Sequence, residues 1–437
     1  MRGILGHRDA RIYLTGQVFS LFGDSCLWLG MGIWVKTLTH SNAAAGLTFF
    51  FFTAPSLLGP ASSLVVDRLR RRPLLIAVNA LTGGVVLLLL AVQGAGQVWL
   101  IYVVMALYGL SNSVLSSAQS ALLTVMVPAG LLPDANAGLR TAQEALRLVG
   151  PLAGAGLFVA VGGHVIAIID AATFAVPVLS LLALRVAEPA PHPMAQHWRK
   201  EITAGIRHVM RTVELRHMII ACACAFAVLG FDETVVYAIT SDGLHKPPAF
   251  VGILIAIQGA GAVIGGPTAA PLVRRIGEAR LVGIALVLAA AAAVLQIPPD
   301  LPSVVAGVIV FGVALPWMFV GFISLVQRLT PAQLQGRAYS AAATLVTVPQ
   351  TISIATGAAL ISVTGYRPML VAMATAVALA AAYLLTRPEH RHRSISASSR
   401  PAGASRTWRR LTRPADSGTP EAVLARLKRR MPVNGHG

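Results

Sequence analysis

The sequence predicts an all-α polytopic membrane protein with twelve transmembrane helices. The 437 residues are 55% hydrophobic and only 12% charged, with a mean hydropathy of +0.70. Soluble domains carry about 25% charged residues, so this composition is typical of a chain surrounded by lipid. Twelve apolar stretches follow one another along the sequence. Each is close to the roughly 20 residues that a helix needs to cross a bilayer.

The predicted spans fall into two sets of six, which we number helices 1 to 12 in chain order. The first set covers about 12–37, 43–66, 73–93, 98–126, 138–161 and 164–185. The second set covers about 217–240, 249–272, 280–297, 302–329, 337–363 and 366–386. An even number of spans places both termini on the same side of the membrane.

Basic residues are distributed asymmetrically about these spans. Of the 35 Lys and Arg residues, all but Lys36, Lys246 and Arg367 fall on the side of the termini. Cytoplasmic loops are enriched in Lys and Arg, so this pattern predicts a cell-membrane protein with both termini in the cytoplasm. The net charge of +18 therefore indicates orientation in a membrane rather than a nucleic-acid partner.

The two sets of six spans resemble each other weakly. LFGD ending at Asp24 matches LGFD ending at Asp232, and Gly154 in helix 5 matches Gly357 in helix 11. Six spans per copy give both copies the same orientation. This arrangement predicts two parallel-repeat six-helix bundles, as found in a large class of secondary transporters.

The predicted domains follow from this repeat. Residues 1–185 form an N-terminal bundle and residues 217–386 a C-terminal bundle. The linker 186–216 contains a basic amphipathic segment, predicted to lie as a helix at the inner membrane surface. The tail 387–437 is rich in Ser, Pro and Arg, and is predicted to be a disordered cytoplasmic segment.

The segment SSLVVDRLRRRPLL between helices 2 and 3 resembles the loop signature of the major facilitator superfamily. Asp67, Arg68, Arg71 and Arg72 fall on the charged positions of that signature, although its two glycines are replaced. The arginines are explained by topology, whereas the acid is not. We hypothesise that Asp67 forms a gating latch on the cytoplasmic side.

Two further resemblances narrow the family. RLVGPLAGAG in helix 5 resembles the G-P-x-x-G motif common in antiporters, and assigns a packing role to Gly150, Pro151 and Gly154. The stretches 127–151 and 329–340 are similar to those of the macrolide-efflux and enterobactin-exporter branch. The resemblance covers about residues 10–387. It implies the major facilitator fold, alternating access and export.

Acids inside the apolar spans are the main candidates for the transport pathway. A charge at the bilayer centre costs about 2.5–3.5 kcal/mol on insertion scales. The resemblance implies that helices 1, 4, 7 and 10 line a central cavity. Asp24 in helix 1, Asp232 and Glu233 in helix 7, and the polar Asn112 in helix 4 would then lie on the substrate or proton route. Hydrogen bonding for structure alone is the alternative at these positions.

A second polar cluster is predicted at the start of helix 5. Arg140, Glu144 and Arg147 recur at intervals of about one helical turn and would form an ion-pair cluster at the cytoplasmic mouth. A solvated helix start is the alternative. Asp170 falls in helix 6, which is peripheral by the resemblance, and is interpreted as a structural residue.

No phosphate-binding loop, H-E-x-x-H sequence or paired CxxC motif is present. We therefore expect no enzymatic activity, no cofactor and no metal, and transport driven by an ion gradient. The resemblance implies a bacterial proton antiporter of the multidrug-resistance type that exports an amphipathic, antibiotic-like or siderophore-like molecule. Its partners would be substrate, protons and lipid, and a monomer is expected. A nutrient or lipid importer and a non-transporting sensor or scaffold are the alternatives.

Overall fold

The computed structural model describes residues 8–58, 66, 69–126, 132–184, 198–331 and 334–387. All of these residues belong to one compact unit. The elements assigned within the described ranges are all helices, and these ranges contain no strand. The all-α prediction is confirmed.

Helices occur at each of the twelve predicted positions. In the first half these are Arg8–Thr39, Asn42–Thr53, Arg71–Leu87, Val98–Met126 and the run Leu132–Ala183, which holds helices 5 and 6. In the second half they are Val213–Ala238, Phe250–Ile276, Glu278–Leu295, Leu301–Leu329, Gln335–Thr364 and Tyr366–Thr386. Short 3-10 segments at Ala54–Leu58 and Leu88–Ala91 extend helices 2 and 3, a 3-10 turn at Ala95–Gln97 precedes helix 4, and a π-helical turn at Ile239–Gly243 ends helix 7.

Ten stretches of the described chain are long and apolar enough to cross a membrane. The number is below twelve for two reasons. The regular part of helix 2 has only 12 residues, and helices 5 and 6 count as the single stretch Val149–Ala183. The structure is thus that of a multi-pass membrane protein.

Two glycines mark the internal repeat in the backbone. Gly162 separates helix 5 from helix 6 with φ 78° and ψ 172°. Gly365 separates helix 11 from helix 12 with φ 74° and ψ 174°. Residues with a Cβ rarely adopt this region, so both positions favour glycine. The same break therefore recurs at the same place in each half.

The repeat also appears in helix packing. Gly154 of helix 5 lies against the main chain of Cys26 in helix 1, and Gly357 of helix 11 lies against Phe231 in helix 7. The number of residues from Gly154 to Gly357 equals the number from Gly162 to Gly365. The predicted similarity of the two halves thus corresponds to equivalent contacts between equivalent helices.

Helix 1 packs closely against helix 6 along one face. Three glycines on that face lie about two turns apart and contact helix 6: Gly16, Gly23 and Gly30. A Cβ at Gly23 would overlap the hydroxyl of Thr173 and would lie 2.6 Å from a carboxylate oxygen of Asp170. The missing side chain therefore lets helix 6 bring an acid against the backbone of helix 1.

Each half has its own apolar core, and a smaller cluster joins the halves. One core contains residues from Tyr13 to Leu184, and another contains residues from Val209 to Leu384. The joining cluster combines side chains of helices 1, 2, 5, 7, 8 and 11. Its buried members include Leu29, Ile33, Phe49, Tyr237, Val251 and Ile354.

A helix at Trp198–Arg211 lies within the predicted linker. Val209 is fully buried, and Gly205 lies against the main chain of Arg337 in helix 11. The linker helix therefore packs on the second half. The predicted tail beyond residue 387 lies outside the described residues.

We expect Gly154→Ala to destabilise the protein by about 1–3 kcal/mol, the usual cost of overpacking. The new Cβ would lie 2.6 Å from the carbonyl oxygen of Cys26 and 2.8 Å from its Cα. Gly156→Ala is the matched control, because nothing lies within 4 Å of the Cβ it would add to the same helix. Thermal unfolding of the purified protein, followed by tryptophan fluorescence, compares the two. Equal melting temperatures would contradict the packing role.

Candidate functional site

Asp24 of helix 1 is held by a hydrogen bond from helix 4. The hydroxyl of Tyr108 donates to its Oδ1 atom. The Tyr108 ring is buried, edge-on to Phe174 of helix 6 at 5.8 Å and near Phe52 at 5.9 Å between ring centroids. The predicted pathway acid therefore lies where helices 1, 4 and 6 meet, with aromatic rings around its hydrogen-bond donor.

Asp170 of helix 6 lies at the same place. Its side chain is 1% exposed, and among the described residues neither of its carboxylate oxygens has a hydrogen-bond partner. The neighbouring Thr173 hydroxyl donates to the main-chain oxygen of Asp170 at 2.7 Å. Asp170 also interacts electrostatically with Asp24. A second acid thus joins the first.

The sequence interpretation of Asp170 as a peripheral structural residue did not anticipate this neighbour. The periodic glycines of helix 1 were the available signal, because they mark the face on which another helix can approach closely. Tyr108 of helix 4 has no role in the sequence-based prediction. The structure brings Asp24, Tyr108 and Asp170 together.

The two acids of helix 7 occupy different surroundings. Asp232 lines an apolar pocket inside the second half together with Phe311 and Met373. Glu233 lies one turn before Tyr237 and interacts with it electrostatically, and Tyr237 belongs to the cluster that joins the halves. Of these two adjacent acids, Glu233 is therefore the one associated with the contact between the halves.

The remaining pathway candidate is Asn112 of helix 4, which is exposed. It lies four residues after Tyr108, on the same side of the helix. Its place on a transport route stays a prediction.

The loop between helices 2 and 3 is described only in part. Asp67 and Arg68 lie outside the described residues, so the latch stays a prediction. Arg71 begins helix 3. Arg72 donates from Nε to the carbonyl oxygen of Leu181 at 2.7 Å and from Nη2 to that of Leu182 at 3.1 Å. These bonds satisfy carbonyl groups at the end of helix 6, so Arg72 joins helices 3 and 6 within the first half.

The ion-pair cluster predicted at the start of helix 5 cannot be checked against the structure. Arg140, Glu144 and Arg147 lie in the run Leu132–Ala183, but their side chains are outside the described parts, and the ion-pair cluster stays a prediction.

The glycine motif of helix 5 lies between neighbouring helices. Gly150 lies against Ser25 of helix 1. Pro151 faces Gly252 of helix 8, where an added Cβ would lie 3.2 Å from the main-chain oxygen of Pro151. Together with Gly154, this segment contacts both helix 1 and the second half.

Polar contacts join the halves at one end of the molecule. Asn42, at the start of helix 2, donates from Nδ2 to Oδ2 of Asp242 at 3.0 Å. The Ser241 hydroxyl lies 3.2 Å from Oδ1 of Asn42, and Lys36 interacts electrostatically with Asp242. We call this end, which holds the 1–2 and 7–8 connections, the predicted outer face.

Two repeated helical halves, joined across an apolar interface and containing acids within apolar helices, define a polytopic protein of the secondary-transporter class. The family model described as Major Facilitator Superfamily matches residues 13–241 and 222–416, so the chain belongs to that superfamily. The resemblance at the superfamily level is confirmed, and the protein is a membrane transporter of this family.

Individual relatives are more distant. The MFS-type transporter YfiS of Bacillus subtilis (strain 168) is 24% identical over 371 residues, which cover 79% of this chain and 85% of the relative. A solved structure of the nucleoside transporter NupG aligns with a TM-score of 0.68 at 14% identity, covering 86% of this chain and 98% of that one. A bacterial homologue of the iron transporter ferroportin in an inward-facing state aligns at 0.68 and 17% identity, covering 88% and 99%. At these identities the structures show a shared fold alone, and the efflux branch stays a prediction.

We expect Asp242→Ala to weaken closure of the predicted outer face, because it removes the acceptor of the Asn42 amide. Loss of one such hydrogen bond is worth about 1 kcal/mol, or roughly a fivefold shift towards separated halves. Spin labels at Gly96→Cys and Pro299→Cys, two exposed positions on this face, should report a larger long-distance population by electron paramagnetic resonance. Asp300→Asn is the control, because that side chain caps only its own helix through Ser303.

The labelled protein would carry alanine at the three native cysteines, Cys26, Cys222 and Cys224. An unchanged distance distribution in Asp242→Ala would show that the contact does not hold the two halves together.

Proposed function

We propose that this chain is a proton-coupled exporter that moves an amphipathic small molecule across the cell membrane by alternating access. The observation that carries the proposal is the hydrogen bond from Tyr108 to Asp24 inside apolar helices. It places an acid that can gain or lose a proton between helices 1 and 4. By the superfamily resemblance, these are two of the four helices around the central cavity.

The chemistry of such a group gives a simple basis for exchange. The ionised carboxylate of Asp24 accepts a hydrogen bond from the hydroxyl of Tyr108 and can attract a positively charged group of a substrate. A protonated Asp24 has no charge to offer. Proton and cationic substrate would therefore compete for one site, and competition of this kind couples the movement of one to the countermovement of the other.

The contacts between the halves support the conformational part of the proposal. Asn42, Asp242 and the joining apolar cluster hold the predicted outer face together. A closed outer face is what a transporter needs while it binds its substrate from the cytoplasm. Release to the outside would then require these contacts to separate as the two halves move.

The remaining proposals follow the sequence analysis. Asp232, Glu233 and Asn112 would contribute to the route, and the 2–3 loop to gating. Both termini would lie in the cytoplasm, and the transporter would work as a monomer. The direction of transport rests on the resemblance to the macrolide-efflux and enterobactin-exporter branch.

Everted membrane vesicles test the proposal. Their lumen is acidified by respiration, and a pH-sensitive dye reports the gradient while ethidium and a panel of antibiotics are added. We expect at least one compound to dissipate the gradient in vesicles that contain the protein. Asp24→Asn should reduce this exchange at least tenfold, because Asn cannot carry the proton, while Asp300→Asn should retain it.

Three results would contradict the proposal. Full exchange in Asp24→Asn would remove that residue from the coupling. Protein-dependent accumulation of a compound by intact cells would indicate import. If no compound across a broad panel of drugs and secreted metabolites affected the gradient, proton-coupled export would be excluded for those substrates.

A further inference from the structure

We propose that Asp24 and Asp170 form a carboxyl pair that holds one proton near neutral pH, inside the first half and between helices 1, 4 and 6. The inference rests on the proposed proton-coupled function and deepens it by naming the proton site. Asp170 is a coupling residue in this proposal, although it belongs to a helix outside the four that surround the cavity.

Asp170 approaches helix 1 next to Asp24. The carboxylate of Asp170 lies against the backbone of helix 1 at Gly23, the residue before Asp24, and the two acids interact electrostatically. Two ionised carboxylates that interact in an apolar interior repel each other. A pair of this kind keeps a proton that a lone exposed acid would lose.

The different surroundings of the two acids determine which of them carries the proton. Asp24 accepts a hydrogen bond from Tyr108, which stabilises its ionised form. Asp170 is 1% exposed. The Thr173 hydroxyl is a polar neighbour of its carboxylate, but this hydroxyl donates to the main-chain oxygen of Asp170 at 2.7 Å, and both carboxylate oxygens are left without a hydrogen bond in the described structure. An ionised carboxylate in that position is strongly destabilised by the loss of its hydration. The proton therefore resides on Asp170, and Asp24 carries the single negative charge.

Among the described residues, no compensating cation is found to interact with Asp170. In the described part of the chain, the ionisable groups found to interact with it are Asp24 and Cys26 of helix 1 and Tyr108 of helix 4. None of them is a cation.

The other helices packed on helix 6 offer no cation at this depth either. Helix 3 has no ionisable residue after Arg72, whose side chain binds the end of helix 6. The ionisable residues of helix 5 end at Arg147, before Gly150. A proton is thus the available means of neutralising Asp170.

The second half provides an internal comparison that argues against a purely structural role. By the spacing that relates Gly162 to Gly365, the counterparts of Tyr108 and Asp170 are Phe311 and Met373. Both line the pocket around Asp232, the counterpart of Asp24. At these two counterpart positions, helices 10 and 12 therefore carry neither a hydroxyl nor an acid. The fold does not need an acid at 170, so its presence in the first half requires another reason.

Charge balance gives the step that the pair performs. With one proton the pair carries a net charge of −1 and attracts a cation. Uptake of a second proton by Asp24 forms one O–H bond, leaves the pair neutral and releases the cation. Loss of that proton to the opposite side breaks the same bond and restores the charge. The inferred substrate is accordingly an amphipathic molecule with a positive charge.

Infrared spectroscopy of the full-length protein in lipid bilayers tests the pair without any substrate. Near neutral pH, wild type should show the C=O stretch of a buried protonated carboxyl group. Asp170→Asn should weaken this signal, because only one carboxyl group of the pair remains and the hydrogen bond from Tyr108 favours its ionised form. Asp300→Asn should keep it. If Asp170→Asn fails to fold, Asp170→Met supplies the residue that the second half carries at this position.

The outcomes separate this inference from the proposed function. The proton pair would be overturned if the wild-type spectrum lacked the signal or if the signal were unchanged in both Asp170 variants. It would also be overturned if NaCl removed the signal at constant pH, because sodium would then be the bound ion. Exchange in everted vesicles that persists in Asp170→Asn with an unaltered pH profile would also overturn it, while leaving proton-coupled export intact. A signal weakened in Asp170→Asn supports the pair even if no ethidium-driven exchange is found.

Discussion

The close approach of helix 6 to the backbone of helix 1 is the constraint on which the first half depends. Between lipid-embedded helices there is little hydrophobic driving force, so association relies on close packing. Gly23 removes the side chain that would separate the two helices, and Asp170 occupies the space. On another face of helix 1, Gly150 and Gly154 bring helix 5 equally close. Helix 1 is thereby fixed by backbone contacts on two sides.

The helices could be predicted because each span reflects a local property, a run of apolar residues long enough to cross a bilayer. Helix 4 was expected at 98–126 and is found at Val98–Met126. Errors occur where charge enters a helix. Helix 7 was expected to begin near 217 but begins at Val213, because Glu214 and Arg216 gave its first turn the composition of a linker.

The candidate site could be predicted only one residue at a time. Asp24 was recognised because an acid in an apolar span is costly. Its neighbours Tyr108 and Asp170 were not assigned to it, because their meeting depends on how helices 4 and 6 are rotated about their axes. The same limit applies to helix 7, where the adjacent acids Asp232 and Glu233 have different surroundings. A single sequence contains no measure of these rotations.

Gly23 also has a consequence for how the family can vary. The room that holds the acid of helix 6 exists only because position 23 has no side chain. A larger residue there and a carboxylate at position 170 exclude each other, so the two positions are expected to change together during divergence. Among relatives, the residue at position 23 would then distinguish transporters that have kept the acid at position 170 from those that have lost it. This distinction would not depend on their substrates.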